Sequence, residues 1–361
     1  MRDLLMIAGG GTGGHIYPAI AIAREWLARG AGREVVFVGT ETGLEKRIVP
    51  GAGFRLEFVR VAGLKGKSLA MTLRNALRLP LGCLDAWRVV SRDRPSAVLG
   101  VGGYASGPVV LVAALRRIPT IVHEANAFPG LTNRILGRFV RRVAVAFPKA
   151  LERFGGRGVV TGNPIRAEFF EAGERRREGG GKVRLLLFGG SQGSRILNDT
   201  MAAALPLLEP LQGRIEIVHQ TGPAQHESVQ AAYAGSPFAG ARVVPYLDAM
   251  AEEMAAADLV VSRAGAMTVG ELAAAGRPAI LVPFAAAADD HQEYNARALE
   301  AGGGAVVITE RELSPEGLAA AVRELAADPA RLAAMGAAQR RMAHPEATRE
   351  IVDLIDAIQG K

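Results

Sequence analysis

The sequence predicts an α/β protein made of two doubly wound parallel sheets in tandem. Its 361 residues suit two cores better than one, because domains usually hold roughly 100–200 residues. Short β-branched and apolar runs alternate with amphipathic helical stretches, the pattern of parallel strands joined by right-handed crossovers. The alternation runs twice, and each series opens with a strand that enters glycines and then a helix.

In the first series the strands are read at 4–8, 34–38, 54–61, 97–101, 120–123 and 142–146, and in the second at 183–188, 215–219, 241–244, 259–262, 279–282 and 305–308. Between the series, 171–182 carries Arg175, Arg176 and Arg177 and then Gly179, Gly180 and Gly181, too polar and glycine-rich to pack, so it is expected to be a linker. The tail after Ser314 is helical by pattern, with breaks expected at Pro329 and Pro345. The domains are therefore placed at 1–162 and 163–342, with a helix at about 343–361 expected to pack back on the first.

Composition narrows the class. Apolar residues make up 49% and charged residues 22%, a globular balance. Cys83 is the single cysteine, so no intrachain disulfide forms and a cytosolic setting is expected. The N-terminal apolar run is too short for a signal peptide and reads as a buried strand. No apolar stretch approaches the ~18–20 residues that span a bilayer. Residues 1–162 carry 24 Lys and Arg against 10 Asp and Glu, and 163–361 carry 19 against 26. The basic half suits an anionic partner, be it nucleic acid, phospholipid or a phosphorylated substrate; a solvated arginine-rich face is the plain alternative.

Three glycine loops stand at strand ends: 9–14 before His15, 102–107 around Tyr104, and 189–193 around Ser191. Glycines let backbone N–H groups approach a ligand, and a helix start carries roughly half a positive charge. Gly9, Gly11 and Gly14 match G-x-G-x-x-G formally, which raises a dinucleotide reading. Such a site needs an acidic residue ending the second strand, whereas Glu34 opens it and Glu41 comes late.

Together with His123-Glu124-Ala125-Asn126, Pro129-Gly130-Leu131-Thr132-Asn133, Gly162-Asn163-Pro164-Ile165-Arg166, the run Ser262 to Glu271 and Asp290-His291-Gln292-Glu293-Tyr294-Asn295-Ala296, these loops resemble the MurG family over nearly the whole chain. The resemblance implies the GT-B architecture, two Rossmann-like domains facing a cleft. It implies an inverting transferase that moves GlcNAc from UDP-GlcNAc to the MurNAc 4-hydroxyl of undecaprenyl-pyrophosphoryl-MurNAc-pentapeptide. Two departures stand out: Ala125 replaces a common glutamine, and 285–288 is a bland alanine run.

The resemblance also distributes roles. Ala266, Met267, Thr268, Val269 and Gly270 form a helix start for the donor diphosphate, and Glu271 accepts from the ribose hydroxyls; read alone, Glu271 is an ordinary helix glutamate. Ser191 becomes a donor contact, or a helix cap. Leu247 offers backbone groups to uracil, Gln292 reads sugar hydroxyls, and Arg166 reaches the donor. Thr12, Gly13, Gly14 and Asn126 lie near the donor sugar, and Gly102, Gly103 and Tyr104 meet the acceptor pyrophosphate.

Transfer to an alcohol needs a base, a stabilised leaving diphosphate and alignment. His15 is the candidate base, with acceptor-phosphate binding as its alternative role. No ligand cluster implies a tightly held metal, and no cofactor is expected.

Leu73, Leu77, Leu81, Leu84 and Trp87 recur at helical spacing beside Arg74 and Arg78, a basic amphipathic stripe suited to anionic phospholipid, or else core. A peripheral position on the cytoplasmic face of the plasma membrane follows, with no nucleic-acid partner and with other cell-wall proteins as candidate neighbours. A UDP-GlcNAc 2-epimerase of the same fold is the rival, distinguished by turnover without acceptor.

Overall fold

The computed structural model describes residues 3–61, 79–174 and 181–360. The chain divides into two compact units, Met1–Ile165 with His344–Lys361, and Arg166–Ala343. Each is built on an all-parallel sheet.

In unit 1 the strands are β1 (Asp3–Ala8), β2 (Arg33–Gly39), β3 (Arg55–Phe58), β4 (Ala97–Gly100), β5 (Thr120–Glu124), β6 (Arg142–Val145) and β7 (Gly158–Val160), ordered 3-2-1-4-5-6-7. β1 is central: Leu4 to Ala8 are all buried, as a strand covered on both faces requires. On one face pack α1 (Gly13–Ala28) and α2 (Glu45–Gly51), through Ile16, Ile20, Ala23, Trp26 and Val49. On the other pack α3 (Leu79–Asp93), α4 (Ser106–Leu115) and α5 (Leu131–Leu136), side by side.

Unit 2 repeats the plan with β8 (Val183–Phe188), β9 (Ile215–Gln220), β10 (Arg242–Val244), β11 (Leu259–Ser262), β12 (Ala279–Leu281) and β13 (Ala305–Val307), ordered 10-9-8-11-12-13. Its helices are α6 (Ala167–Glu174), α7 (Arg195–Ala204), α8 (His226–Ala234), α9 (Met250–Ala256), α10 (Ala266–Ala275), α11 (His291–Ala301), α12 (Pro315–Ala326) and α13 (Pro329–Arg341). Asp328 caps α13 at Arg331 N–H, 2.9 Å away, and Pro329 takes the first helical position, where a missing N–H costs nothing.

The last helix, α14 (Ala347–Gln359), returns to unit 1. Ile351, Val352 and Ile355 enter the core beside Ile7 and Trp26. Arg29 pairs with Asp353 at 2.5 Å, and Arg33 with Asp356 at 2.8 Å.

The structure departs from the sequence reading in two elements. The stretch expected to be a linker from residue 171 is helical through Glu174, because Phe169 and Ala172 are buried and anchor α6; residues 175–180 lie outside the described residues. The edge strand β7 was not expected; its three residues follow Gly155 and Gly156 and are too short to show a period.

Candidate active site

In both sheets the strand order reverses beside the first strand, between β1 and β4 and between β8 and β11. Loops leaving such a switch point diverge and open a crevice beyond the strand ends. The three glycine loops follow β1, β4 and β8.

In unit 1 the first two loops interlock. A Cβ on Gly103 would fall 2.5 Å from Gly10 O, and one on Gly102 would fall 2.9 Å from His15 Nε2, so only glycine permits this approach. Both have positive φ, +79° at Gly103 and +93° at Gly102. His15 sits in the first turn of α1 behind Thr12, the N-cap residue. Its Nδ1 is 3.1 Å from Gly10 O. A carbonyl only accepts, so Nδ1 carries a proton; in the neutral ring Nε2 then keeps its lone pair, turned toward Gly102. Tyr104 is exposed.

Behind this pair lies His123 on β5, 1% exposed, with Nε2 3.4 Å from Gly162 O. Burial lowers it from 6.5 to about 4; the Gly162 carbonyl opposes, and His15 adds to the lowering. Glu124, also buried, ties the next loop: it accepts from Asn126 N–H at 2.9 Å, Asn126 Nδ2 at 3.2 Å, Gly130 N–H at 3.0 Å and Asn133 Nδ2 at 2.9 Å. Ala125 is buried, and its carbonyl accepts from Asn163 Nδ2.

In unit 2 a pocket of about 570 Å³ lies at the β8–β11 switch point. Gly189, Gly190 and the run from Gly193 to Ile196, which includes Ser194 and Arg195, form one wall, and Arg263, Gly265, Thr268, Phe284, Gln292 and Glu310 line the rest. Gly265 caps α10 in extended conformation, which aims the helix's first N–H groups outward. Arg263 is held by Glu310 at 2.5 Å and by the Val282 carbonyl at 3.2 Å. Gln292 Oε1 accepts from Ala264 N–H at 3.3 Å and Phe284 N–H at 3.0 Å, which leaves its Nε2 hydrogens to face a ligand. Just before it, Asp289 and Asp290 both hold positive φ, +56° and +52°, a strained backbone of the kind that gathers at binding sites.

Glu271 stands one helical turn beyond Thr268, outside the pocket lining, with its side chain 17% exposed. Burial raises its carboxyl to about 7; Arg166, with Nη2 3.9 Å from Oε1, opposes, and Glu168 adds to the rise.

The unit 2 residues read from the sequence are distributed unevenly. Thr268 and Gln292 line the pocket, whereas Ser191 is exposed and outside the lining, with Ser194 in the wall instead. Val269 and Leu247 are buried, so only their backbone groups are available to a ligand. Ala266, Met267 and Gly270 are half-buried on α10.

On α3, Leu81, Leu84 and Trp87 are exposed while Ala86, Val89 and Val90 enter the core. Leu73, Arg74, Leu77 and Arg78 lie outside the described residues. Among the described residues, no helix is long and apolar enough to cross a membrane.

Sequence reasoning passed over Ser194, Arg263, Phe284, Glu310 and Glu124. Arg263 and Glu124 sit inside motifs already singled out, and Ser194 borders one. Glu310 follows β13 and has no local signal; sheet topology alone brings it to Arg263.

The chain matches the glycosyltransferase family 28 N-terminal domain over residues 5–145 and the family 28 C-terminal domain over 184–351. A relative from Anaeromyxobacter sp. (strain K), named UDP-N-acetylglucosamine--N-acetylmuramyl-(pentapeptide) pyrophosphoryl-undecaprenol N-acetylglucosamine transferase, is 50% identical across 97% of this chain and 91% of its own length. A Myxococcus xanthus (strain DK1622) protein of the same name is 46% identical over the same shares. The crystal structure of Acinetobacter baumannii MurG superposes with a TM-score of 0.84 at 32% identity, covering 98% of this chain and 99% of that one. A structure titled putative UDP-N-acetylglucosamine 2-epimerase from Listeria monocytogenes shares the fold at 16% identity and a TM-score of 0.68. The chain belongs to glycosyltransferase family 28, and within it to the MurG N-acetylglucosaminyltransferases.

Proposed function

We propose that the protein transfers GlcNAc from UDP-GlcNAc to the MurNAc 4-hydroxyl of undecaprenyl-pyrophosphoryl-MurNAc-pentapeptide, with inversion by one direct displacement. The observation that carries this reading is the unit 2 pocket, framed by a glycine loop, an outward-facing helix start and Gln292. Its size suits a nucleotide sugar. The first N–H groups of α10 receive the diphosphate and stabilise it as it leaves. Glu271 accepts from the ribose diol, Arg166 adds positive charge beside it, and Gln292 donates from Nε2 to a sugar hydroxyl. Leu247 and Val269 contribute backbone groups, and Ser191 approaches the donor from the third loop.

Unit 1 takes the acceptor. Gly102, Gly103 and Tyr104 meet its pyrophosphate, and Thr12, Gly13, Gly14 and Asn126 meet the donor sugar. His15 Nε2, unprotonated in the tautomer that Gly10 O selects, takes the hydroxyl proton as the C1–O bond to UDP breaks. The outer faces of α3, α4 and α5 present Leu81, Leu84, Trp87, Leu115, Leu131 and Ile135 among arginines, a surface for the headgroup region of an anionic inner leaflet.

UDP release in a coupled assay with UDP-GlcNAc and a short-chain lipid-linked muramyl acceptor tests the reaction. Release that depends on acceptor is expected; acceptor-free conversion to UDP-ManNAc would assign an epimerase instead. His15→Ala is expected to lower kcat by about 10²–10⁴-fold. Near-normal kcat with a raised acceptor KM would reassign His15 to binding.

A further inference from the structure

Glu45 opens α2, is 1% exposed, and belongs to none of the motifs that carry the donor or the acceptor. Its Oε2 accepts from Gly11 N–H at 2.7 Å, and its Oε1 accepts from Thr40 N–H and Thr40 Oγ1, both at 2.9 Å. Burial pushes its carboxyl up, but these bonds and one to its own backbone outweigh that and hold it below the usual carboxylate range. Three glycines make room for it. A Cβ on Gly10, Gly39 or Gly43 would fall 2.3, 2.5 or 2.0 Å from Glu45 side-chain atoms. The side chain thus joins the β1–α1 loop, the end of β2 and the start of α2 at one buried charge.

The bond to Gly11 falls on a peptide that matters elsewhere. Gly10 O and Gly11 N–H belong to one peptide unit, and in a trans peptide they point in opposite directions. Glu45 holds the N–H side, and His15 Nδ1 donates to the C=O side. Gly10 and Gly11 have φ of +150° and +88°, so without the carboxylate this unit is free to turn over. A flipped unit offers His15 an N–H in place of a carbonyl.

We infer that Glu45 is a positioning residue for His15: its buried carboxylate fixes the Gly10–Gly11 peptide so that the Gly10 carbonyl keeps Nδ1 protonated and Nε2 open. The catalytic consequence rests on the proposed role of His15 as base. Hydrogen bonds in series polarise one another, so the same carboxylate strengthens the Gly10 carbonyl as an acceptor and favours the imidazolium formed when the proton arrives.

The test is ¹⁵N NMR of the His15 ring in the full-length protein, assigned by loss of its signals in His15→Ala, combined with kinetics. Glu45→Gln keeps the shape but turns an NH₂ toward a backbone N–H. It is expected to move the His15 ring signals toward the Nε2–H tautomer and to lower kcat by about 10–100-fold, with KM for UDP-GlcNAc changed less than about twofold. Thr40→Val keeps the carboxylate and removes one donor; it is expected to shift the ring signals partway and to lower kcat by about threefold, and it decides the matter if Glu45→Gln does not fold. Unchanged ring signals in a folded variant would overturn the inference, even if kcat fell. Shifted ring signals, with His15→Ala retaining kcat, would remove the base role and leave the clamp standing.

Discussion

At Glu271 burial and charge pull in opposite directions, and burial prevails, so the carboxyl titrates near 7 with Arg166 only 3.9 Å away. An ionised carboxylate can accept from both ribose hydroxyls, whereas a protonated one gives up part of that capacity. The sign for binding follows: a ligand that needs the charged form binds tighter as pH rises through 7. For folding without ligand the sign is opposite. A carboxyl raised above its unfolded value of 4.5 binds more protons when folded, so its contribution to stability declines as pH climbs from 4.5 to 7. UDP affinity, measured calorimetrically from pH 8 to 5.5, is expected to fall toward tenfold per pH unit below about 7. Glu271→Gln is expected to bind weakly and without that slope; an unchanged slope would place the titrating group elsewhere. From the sequence Glu271 was visible only through its motif, since nothing local separates it from a solvated helix glutamate. Glu45 was not visible at all. Its partners are Thr40, five residues back, and Gly11 in a distant loop, and its position mimics an acid placed early in a helix to complement the dipole.

Among the elements, α3 shows how a leucine stripe divides. Ala86, Val89 and Val90 face the sheet, and the positions one turn apart on the opposite side, Leu81, Leu84 and Trp87, remain exposed, with Arg116 4.8 Å above the Trp87 ring. Trp87 is 51% exposed, a cost in water that a headgroup interface removes. Leu84→Ser combined with Trp87→Ala is expected to weaken partition onto anionic vesicles by roughly tenfold while leaving thermal stability nearly unchanged. Equal loss of partition and stability would mean that the face belongs to the core. The sequence showed the stripe but not its division, because helical period marks an apolar face without saying what covers it. Central strands were legible for the converse reason: β1 and β8 each end in an unbroken apolar run, Leu4 to Ala8 and Leu185 to Phe188, as burial on both faces demands. β7 was not, since three residues carry no period, and α6 was hidden by the polar run that follows it.

Over the whole molecule, each unit buries one neutral histidine in its sheet, which makes acid stability a property of both. His123 is lowered from 6.5 to about 4 by burial, and His219 from 6.5 to about 3 by the same cause. His219 is fully enclosed: Nε2 donates to Asn198 Oδ1, which can only accept, and Nδ1 faces the Tyr233 hydroxyl, both at 3.1 Å. Asn198 Nδ2 continues to the Thr221 carbonyl at 2.8 Å, beside the turn that meets the third glycine loop, where a Cβ on Gly193 would fall 1.9 Å from Thr221 O. Below pH 6.5 the unfolded chain binds protons that these folded histidines refuse. Stability therefore falls as pH drops through that range, by about 3 kcal/mol per histidine by pH 4. For units of this size that is roughly a 10 °C lower melting temperature. His219→Gln supplies one donor and one acceptor to the same partners without a titrating group. Calorimetry between pH 7 and pH 4 is expected to show the unit 2 transition of this variant losing that share of its acid slope, while unit 1, which keeps His123, retains its own. If the variant melted with the wild-type slope in both transitions, the acid sensitivity of unit 2 would belong to its carboxylates and not to the buried imidazole.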